Sequence, residues 1–508
     1  MSSQSEAPPH TQQLVLPLDD FASRSQGHGI PRPNRVFCNR NLKMSGISWV
    51  GFDMDYTLAI YDQPAMDDLS IRATIAKLIN RGYPDFIKTV PVSTQFPVRG
   101  LLIDKRFGHV LKMDRYKHVH KGYHGFRELT KEELKALYHS KKLRPATPRY
   151  HWIDTLYALS EVATYAALVD AMEKKGYAVD YSRLFTDIRE CIDEAHRDGT
   201  ILDEVSSNLP HFVHRDPNLA PALHKLRSAG KKLFVLTNSR KEYTEKMMTY
   251  LLGGAMSEYP TWRNFFDVVI VAATKPIFFT EKRPLQEREG DVLRPASPPL
   301  ERGKIYEGGN LGDLERALGV TGDEIMYVGD HIYGDILRSK KDSAWRTVMI
   351  MQELETEIHA YEACKEDFAT IEHLDEQRER LEDDLRYYQA RIKELTRQIE
   401  HRQEGKTNGV SAGELEAERM RFKRAVERIR GKLRQVDAEL TALERRIDLR
   451  FHPYWGSLLK EGNEQSSFGK QVDDYACLYT SRVSNFLSYS PQQTFRSPRD
   501  VMAHEIGM

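Results

Sequence analysis

"GFDMDYTLAI", residues 51–60, decides the fold. Trp49, Val50 and Phe52 lead in as a buried strand would, and the run then breaks into Asp53, Asp55 and Thr57. Carboxylates are rarely buried unless paired or bound to a metal. Two of them, one residue apart at the end of an apolar strand, need a chemical explanation.

The same arrangement recurs downstream. "KKLFVLTNS" (231–239) is an apolar strand ending in Thr237, Asn238 and Ser239. "FFDVVIVAATKP" (265–276) ends near Lys275, and "IMYVGDHIYGDI" (325–336) runs into Asp330 and Asp335. Helical patterns stand between them: "LAPALHKLRSAG" stopped by Gly230, "KEYTEKMMTYLLG", and "NLGDLERALG" (310–319). Strands and helices alternating at this spacing predict an α/β fold with a parallel sheet. Residues 281–304, Pro-rich and charged, read as an excursion from that sheet. In an open parallel sheet ligands bind outside the carboxyl ends of the strands, so four polar clusters far apart in sequence are expected to meet in one site.

The chemistry that needs this set is phosphoryl transfer through an aspartyl phosphate. One carboxylate attacks phosphorus and splits a difficult step into two easier ones. A second carboxyl gives a proton to the leaving oxygen and later takes one from water. A hydroxyl and backbone N–H groups hold the phosphoryl oxygens, a lysine offsets their charge, and Mg²⁺ suits the hard oxygen ligands. Each cluster also has a plainer use. DxDxT can be a simple cation site or a solvated turn, Thr-Asn-Ser a helix cap, Lys275 a surface residue, and GDHIYGD a turn. Four in this order, each at a strand end, are far more specific than any one.

The set DxDxT, strand-Thr-Asn, Lys and GDxxxGD resembles that of the haloacid-dehalogenase-like (HAD) hydrolases. Much of the chain is also similar to one branch, the cytosolic purine 5'-nucleotidases that prefer IMP and GMP. The similar stretches include "RVFCNRNLKMSGISWVGFDMDYTLAIY", "STQFPVRGLLIDKRFGHVLKMD", "FVLTNSRKEYT", "ATKPIFF", "IYEGGN", "YVGDHIYGDILRSKKDSAWRT" and "FGKQVDDYACLYTSRVSNFL". The resemblance runs from about Arg35 to Glu505, interrupted at 281–304 and in the heptads described below. It implies a HAD-like Rossmannoid core with an inserted α+β cap, Asp53 as nucleophile and Asp55 as acid/base. Asp55 would also ligate Mg²⁺ through its backbone carbonyl. Thr237 and Asn238, with Ser239, would hold the phosphate beside Lys275. Asp330 would complete the metal site and Asp335 support it. A nucleoside 5'-monophosphate is the implied substrate, hydrolysed to nucleoside and phosphate, with transfer to another acceptor or another small phosphomonoester as the alternative.

The base site is implied by one helix face. Arg189, Asp193 and His196 fall at i, i+4 and i+7. On spacing alone they read as an Arg–Asp surface pair and a capping histidine. In the family this face meets the base, with an aromatic stacking from the preceding helix, here Tyr157 in place of Phe. The family's lysine shortly after the histidine is replaced by Leu202, followed by Asp203. Tyr333 and Lys341 match positions of a nucleotide effector site in vertebrate members, too patchily to imply regulation.

Composition frames the rest. The 508 residues carry 74 basic and 74 acidic side chains and 40% hydrophobic residues. A zero formal net charge argues against a general nucleic-acid or membrane-surface binder, although a local basic patch can hide in a neutral total. Cys38, Cys191, Cys364 and Cys477 are scattered, with no CxxC, so neither a disulfide framework nor a thiolate zinc site is expected. No apolar run approaches the roughly 18 residues of a spanning helix. A soluble cytoplasmic protein follows.

The expected organisation is a disordered arm (1–34), a first piece of core (35–64), a cap (65–204) that closes over the substrate, and the remaining core (205–364). Within the cap, 100–114 read as a hairpin turning near Phe107-Gly108-His109, and 155–177 and 181–199 as helices. Residues 365–450 change character. Leu381, Leu385, Tyr388, Ile392, Leu395 and Ile399 step as heptads, and Phe422, Val426, Ile429, Leu433, Val436, Leu440, Leu443 and Ile447 resume them after "EGKTNGVSAG" (404–413). This predicts an antiparallel, coiled-coil-like hairpin, and the seam suggests a homo-oligomer. A rival reading makes the hairpin the functional part of an interaction protein built on a relic core. Residues 451–508 are expected to pack on the core.

Overall fold

Trp49–Phe52 is buried at all four positions and lies inside a ten-stranded sheet. An unbroken apolar run is what a strand requires when both faces of a parallel sheet are covered. Lys232–Leu236 and Ile325–Gly329 flank it, both parallel to it. Beyond the first lie Val268–Val271 and Tyr306–Gly308, and beyond the second Arg346–Ile350 and Leu478–Thr480, again parallel. Gly51 pairs with Phe234 across the ladder. A Cβ at Gly51 would stand 2.1 Å from the Phe234 ring, so only glycine lets that ring cross the central strand. The computed structural model describes residues 29–139, 143–290, 292–296, 298–337, 343–403 and 411–498.

Residues 281–304 do not leave the sheet as their composition implied. Leu285–Glu289 pairs antiparallel with Tyr306–Gly308 and with Val292–Pro295, extending the sheet at that edge. This margin of the sheet is partly solvated and tolerates polar side chains; Arg288 pairs with Glu307 at 2.7 Å. The opposite edge is built by both ends of the described chain. Leu478–Thr480 lies against Arg346–Ile350 and is covered by Phe37–Cys38, running antiparallel. The last segment thus supplies a strand of the sheet as well as packing on it.

An insertion leaves and rejoins the core at one point, where Ile60–Tyr61 pairs antiparallel with Val213–His214. It opens with helix Gln63–Asn80, whose N-cap Asp62 accepts from the Ala65 N–H at 3.0 Å. It then forms a five-stranded antiparallel sheet that contains the expected hairpin, Leu101–Asp104 with His109–Met113. Helices Leu159–Lys174 and Tyr181–Arg197 follow, the first preceded by a short 3-10 turn at Leu156–Ala158.

Two helices, Lys365–Gln403 and Ala412–Phe451, form the predicted hairpin. Asp367 meets Arg446 and Tyr388 stacks near Phe422, which fixes the antiparallel register. The heptad positions form its buried seam, in one cluster from Leu374 and Leu381 to Ile447 and a second around Leu395, Ile399 and Leu415. Of the expected arm, residues 1–28 lie outside the described residues, while Arg32–Asn34 forms a 3-10 turn with the Arg32 guanidinium 4.8 Å from the Tyr361 ring centre. Lys341, the middle of the 404–413 loop and residues 499–508 also lie outside them. No helix among the described residues is long and apolar enough to cross a membrane.

Candidate active site

The strand Trp49–Phe52 delivers Asp53 directly at its carboxyl end. The chain then coils tightly: the N–H groups of Leu58 and Ala59 both donate to the Met54 carbonyl at 2.9 Å, and Tyr56 takes a left-handed φ of 56°. That conformation costs energy for a non-glycine residue, and it sets Asp53 and Asp55 apart. Asp53 Oδ1 accepts from the Met54 N–H at 2.7 Å and from Lys275 Nζ at 2.9 Å. Asp55 instead accepts from Tyr61 OH at 2.5 Å and Ser239 Oγ at 2.6 Å.

Lys275 is the hub. Its ammonium contacts Asp53, Asp335 Oδ1 at 2.6 Å and Tyr327 OH at 2.9 Å, and it is almost fully buried. Burial pulls Lys275 down, but Asp335 and Asp53 more than offset this and hold its proton on. Asp53, Asp330 and Asp335 converge, with one oxygen of each within 4.8 Å of the others. Burial lifts Asp53 to about 7, with Lys275 opposing and Asp335 and Asp55 assisting. Burial lifts Asp330 well above the carboxylate range too, and Asp335 and Asp53 push it the same way.

Three buried carboxylates against one ammonium leave negative charge uncompensated, and the Asp330 carboxyl receives no hydrogen bond among the described residues. A hard divalent cation fits such an oxygen cluster. Asp55 stands outside it as a side chain. Burial raises Asp55 as well, with Ser239 and Tyr61 pulling it back.

The other strand-end residues divide. Thr237 is fully buried and its Oγ1 accepts from the Ser239 N–H at 3.1 Å, a local cap beneath the site. Asn238 is committed differently from expectation. Its amide clamps the Lys275 backbone, donating to the carbonyl at 3.0 Å and accepting from the N–H at 2.6 Å. That side chain positions the lysine, with its Oδ1 and one Nδ2 hydrogen committed to the backbone. The Thr57 hydroxyl is buried without a hydrogen bond.

A cavity of about 710 Å³ opens from Asp55, Asn238 and Ser239 toward the insertion, where Tyr157, Arg189, Asp193 and His196 line it. Arg189 does not form the surface pair with Asp193 that spacing alone would suggest. It approaches Glu161 at 3.4 Å, a contact of charges in which Arg189 Nε and Glu161 Oε2 are buried without a hydrogen bond. Burial raises Glu161 to about 7, with Arg189 opposing. His196 meets the Tyr157 ring edge-on, with centroids 5.7 Å apart, and Tyr56 meets Tyr157 the same way at 4.7 Å. Burial holds His196 below the usual imidazole range. Leu202 and Asp203 line the cavity as well, and its lysine comes from another helix, Lys246.

Sequence reasoning missed several participants. Tyr61 and Tyr327 sit in strands that read as apolar, and only their hydroxyls betray a use. Glu161 lay unmarked inside an apolar helix. Arg99, from the insertion, is completely buried; it donates to the Asp330 backbone carbonyl at 2.8 Å and pairs twice with Glu353 at 2.7 Å. It ties the insertion to the loop carrying the third carboxylate. Within "FPVRGLL" nothing marked this arginine as buried.

Strand ends of a parallel sheet that gather three aspartates around a buried lysine are the arrangement of a HAD-type phosphohydrolase. The chain belongs to the 5' nucleotidase family, whose sequence pattern matches residues 36–507. Among characterised sequences it is 28% identical over 491 residues to a 5'-nucleotidase domain-containing protein of Dictyostelium discoideum, covering 93% of this chain and 75% of the relative. It is 27% identical to 5'-nucleotidase domain-containing protein 2 of Homo sapiens, covering 93% of this chain and 85% of that one. Among solved structures it is similar to a predicted phosphoglycolate phosphatase of Haemophilus somnus (13% identity, 60% of this chain, 86% of that one, TM-score 0.26). It is also similar to a magnesium-bound HAD-hydrolase of Bacillus subtilis (15% identity, the same coverages, TM-score 0.21).

Proposed function

We propose that this enzyme hydrolyses nucleoside 5'-monophosphates, purine ones in preference, through a phosphate carried on Asp53. The observation that supports this most is the separation of the two neighbouring carboxylates. Asp53 lies in the carboxylate cluster around Lys275, and Asp55 lies two residues away under Tyr61 and Ser239, facing the cavity.

In this reading an Asp53 oxygen attacks phosphorus and the bond from phosphorus to the 5' oxygen breaks. Asp55, whose affinity for a proton burial raises, passes a proton to the departing oxygen. Asp55 then takes a proton from water, whose oxygen attacks phosphorus, and the acyl–phosphate bond to Asp53 breaks. Lys275 offsets charge on the phosphoryl oxygens throughout. Asp53, Asp330 and Asp335 would hold Mg²⁺, with the Asp55 backbone carbonyl, and the ion when bound supplies electrostatic stabilisation of the phosphoryl charge. The insertion acts as a cap, and its helix face reads the base. Tyr157 offers an aromatic surface, Arg189 a donor and Asp193 an acceptor, with His196 beside them.

Phosphate release from IMP, GMP, AMP, UMP and a sugar phosphate, with Mg²⁺ and with a chelator, tests this reading. Purine monophosphates should be cleaved with the highest kcat/KM, and only with the metal. Equal rates on all five, or a preference for the sugar phosphate, would remove the base reading and leave the phosphatase.

A further inference from the structure

The hairpin carries charge in a pattern that its own fold leaves unsatisfied. From 366 to 384 the first helix holds nine acidic residues and two basic ones, a net of −7. From 419 to 434 the second holds eight basic residues and one acidic, a net of +7. In a chain of zero formal net charge these are strong local departures.

Each surplus is organised as a stripe. Glu372, Glu376, Glu379 and Asp383 stand at i, i+4, i+7 and i+11, and so share one helix face. At 100° per residue that face lies opposite the seam residues Leu374, Leu381 and Leu385, away from the partner helix. Arg421, Arg424, Arg428 and Lys432 stand at i, i+3, i+7 and i+11 and form an equally long stripe, also off the seam. Each spans about 16 Å at 1.5 Å per residue.

Pairing within the hairpin neutralises little of this. Glu376 and Asp383 meet only Arg380 and Arg386 of their own helix, all exposed, and exposed pairs of this kind contribute little. Glu372, Glu379, Glu382 and Asp384 are exposed with no ion pair among the described residues. So are all four bases of the basic stripe, together with Lys423 and Arg434.

We propose that the hairpin docks on the hairpin of a second copy of this chain, the basic stripe of one against the acidic stripe of the other. A second copy brings both signs in equal measure, and complementary stripes of equal length both attract and set register. A nucleic acid fits less well. The Asp367–Arg446 and Tyr388–Phe422 contacts set residues 379–384 level with 427–432, so acidic side chains stand beside the basic stripe and repel a phosphate backbone. Two exposed apolar side chains nearer the loop, Tyr387 and Met420, also suit a protein surface.

Sedimentation velocity on the full chain tests this. The protein should self-associate at 50 mM NaCl, with the dissociation constant rising on the order of tenfold or more at 500 mM, because exposed charges are screened. R421E/R424E/R428E/K432E should be monomeric, and so should E372K/E376K/E379K/D383K. Their equimolar mixture should associate again. Unchanged phosphatase activity and helix content in both variants verify folding. A wild-type protein that stays monomeric at low salt, a variant that still associates, or a folded mixture that does not re-associate would overturn the proposal. So would binding of a nucleic-acid duplex by a protein that remains a monomer.

Discussion

The two ends of the active-site cavity are built on different principles. At the strand ends, Asp53, Lys275, Tyr327 and Asp335 come from three separate stretches and lock together through contacts of 2.6 to 3.2 Å. Tyr327 OH donates onward to the Leu236 carbonyl at 3.1 Å, so even the support is anchored in the sheet. At the insertion end, Arg189, Asp193 and His196 come from one helix, and the closest charged contact of Arg189 is 3.4 Å long and leaves both buried atoms unbonded. The first arrangement is preorganised, as groups that stabilise developing charge must be. The second keeps donors and acceptors available for a ligand. Substitutions at the strand ends should therefore cost orders of magnitude in rate, and those on the helix face much less.

Asp53→Asn should show the largest effect. An amide cannot form the acyl phosphate, so turnover should fall to background while the near-isosteric side chain preserves the fold. Acid quench and peptide mapping of the wild type should place phosphate on Asp53; phosphate on any other residue would break the comparison at its strongest point. Asp55→Asn should lose about 10²–10⁴-fold on nucleotides. It should recover partly on p-nitrophenyl phosphate, whose leaving group needs little proton donation, and the Asp53 variant should not.

Arg99→Met sharpens the comparison, because Arg99 belongs to the insertion yet serves the strand ends. Losing one partner of a buried pair costs about 3–5 kcal/mol, which a denaturant melt will read as a lowered midpoint. Looser anchoring of Asp330 should also weaken Mg²⁺ binding measured by calorimetry without substrate. An Arg99→Met protein with wild-type stability and metal affinity would show that the insertion and the carboxylate loop are independent. The smallest effect is expected on the helix face. Arg189→Ala should lower kcat/KM for a purine monophosphate about tenfold, the order of one charge-assisted contact, and leave a sugar phosphate unaffected. A loss as large as that of Asp55→Asn, or one shared by both substrates, would erase the distinction between the two ends.

The same contrast explains what could be read in the sequence. Strand ends are legible because a parallel sheet writes them as apolar runs closing in polar residues. Asp53, Thr237, Lys275 and Asp330 are all found that way, and the heptads of the hairpin are as plain as the seam they bury. Leu285–Glu289 is not legible, because a partly solvated strand near the margin of the sheet carries the Gln-Glu-Arg-Glu of a loop. The short strand Leu478–Thr480 is recruited to the sheet by a neighbour more than a hundred residues earlier, which no local pattern encodes. Arg99 and Tyr327 become functional only through partners supplied by other elements. The sequence places Asn238 at a strand end but does not show that it clamps the Lys275 backbone, since that depends on how close two strand-end loops come.

The sheet edge made by Leu478–Thr480 has a consequence for synthesis. Arg346–Ile350 borders the strand that carries Asp330, and its outer side stays open until residues 478–480 reach it. Both long helices must leave the ribosome in between. At about 5–20 residues per second, roughly 130 residues of delay hold that edge unpaired for several seconds or more. An unpaired edge in a nascent chain is a template for aggregation, so messages truncated before residue 480 should yield insoluble protein, even though every aspartate of the strand-end cluster has already been translated.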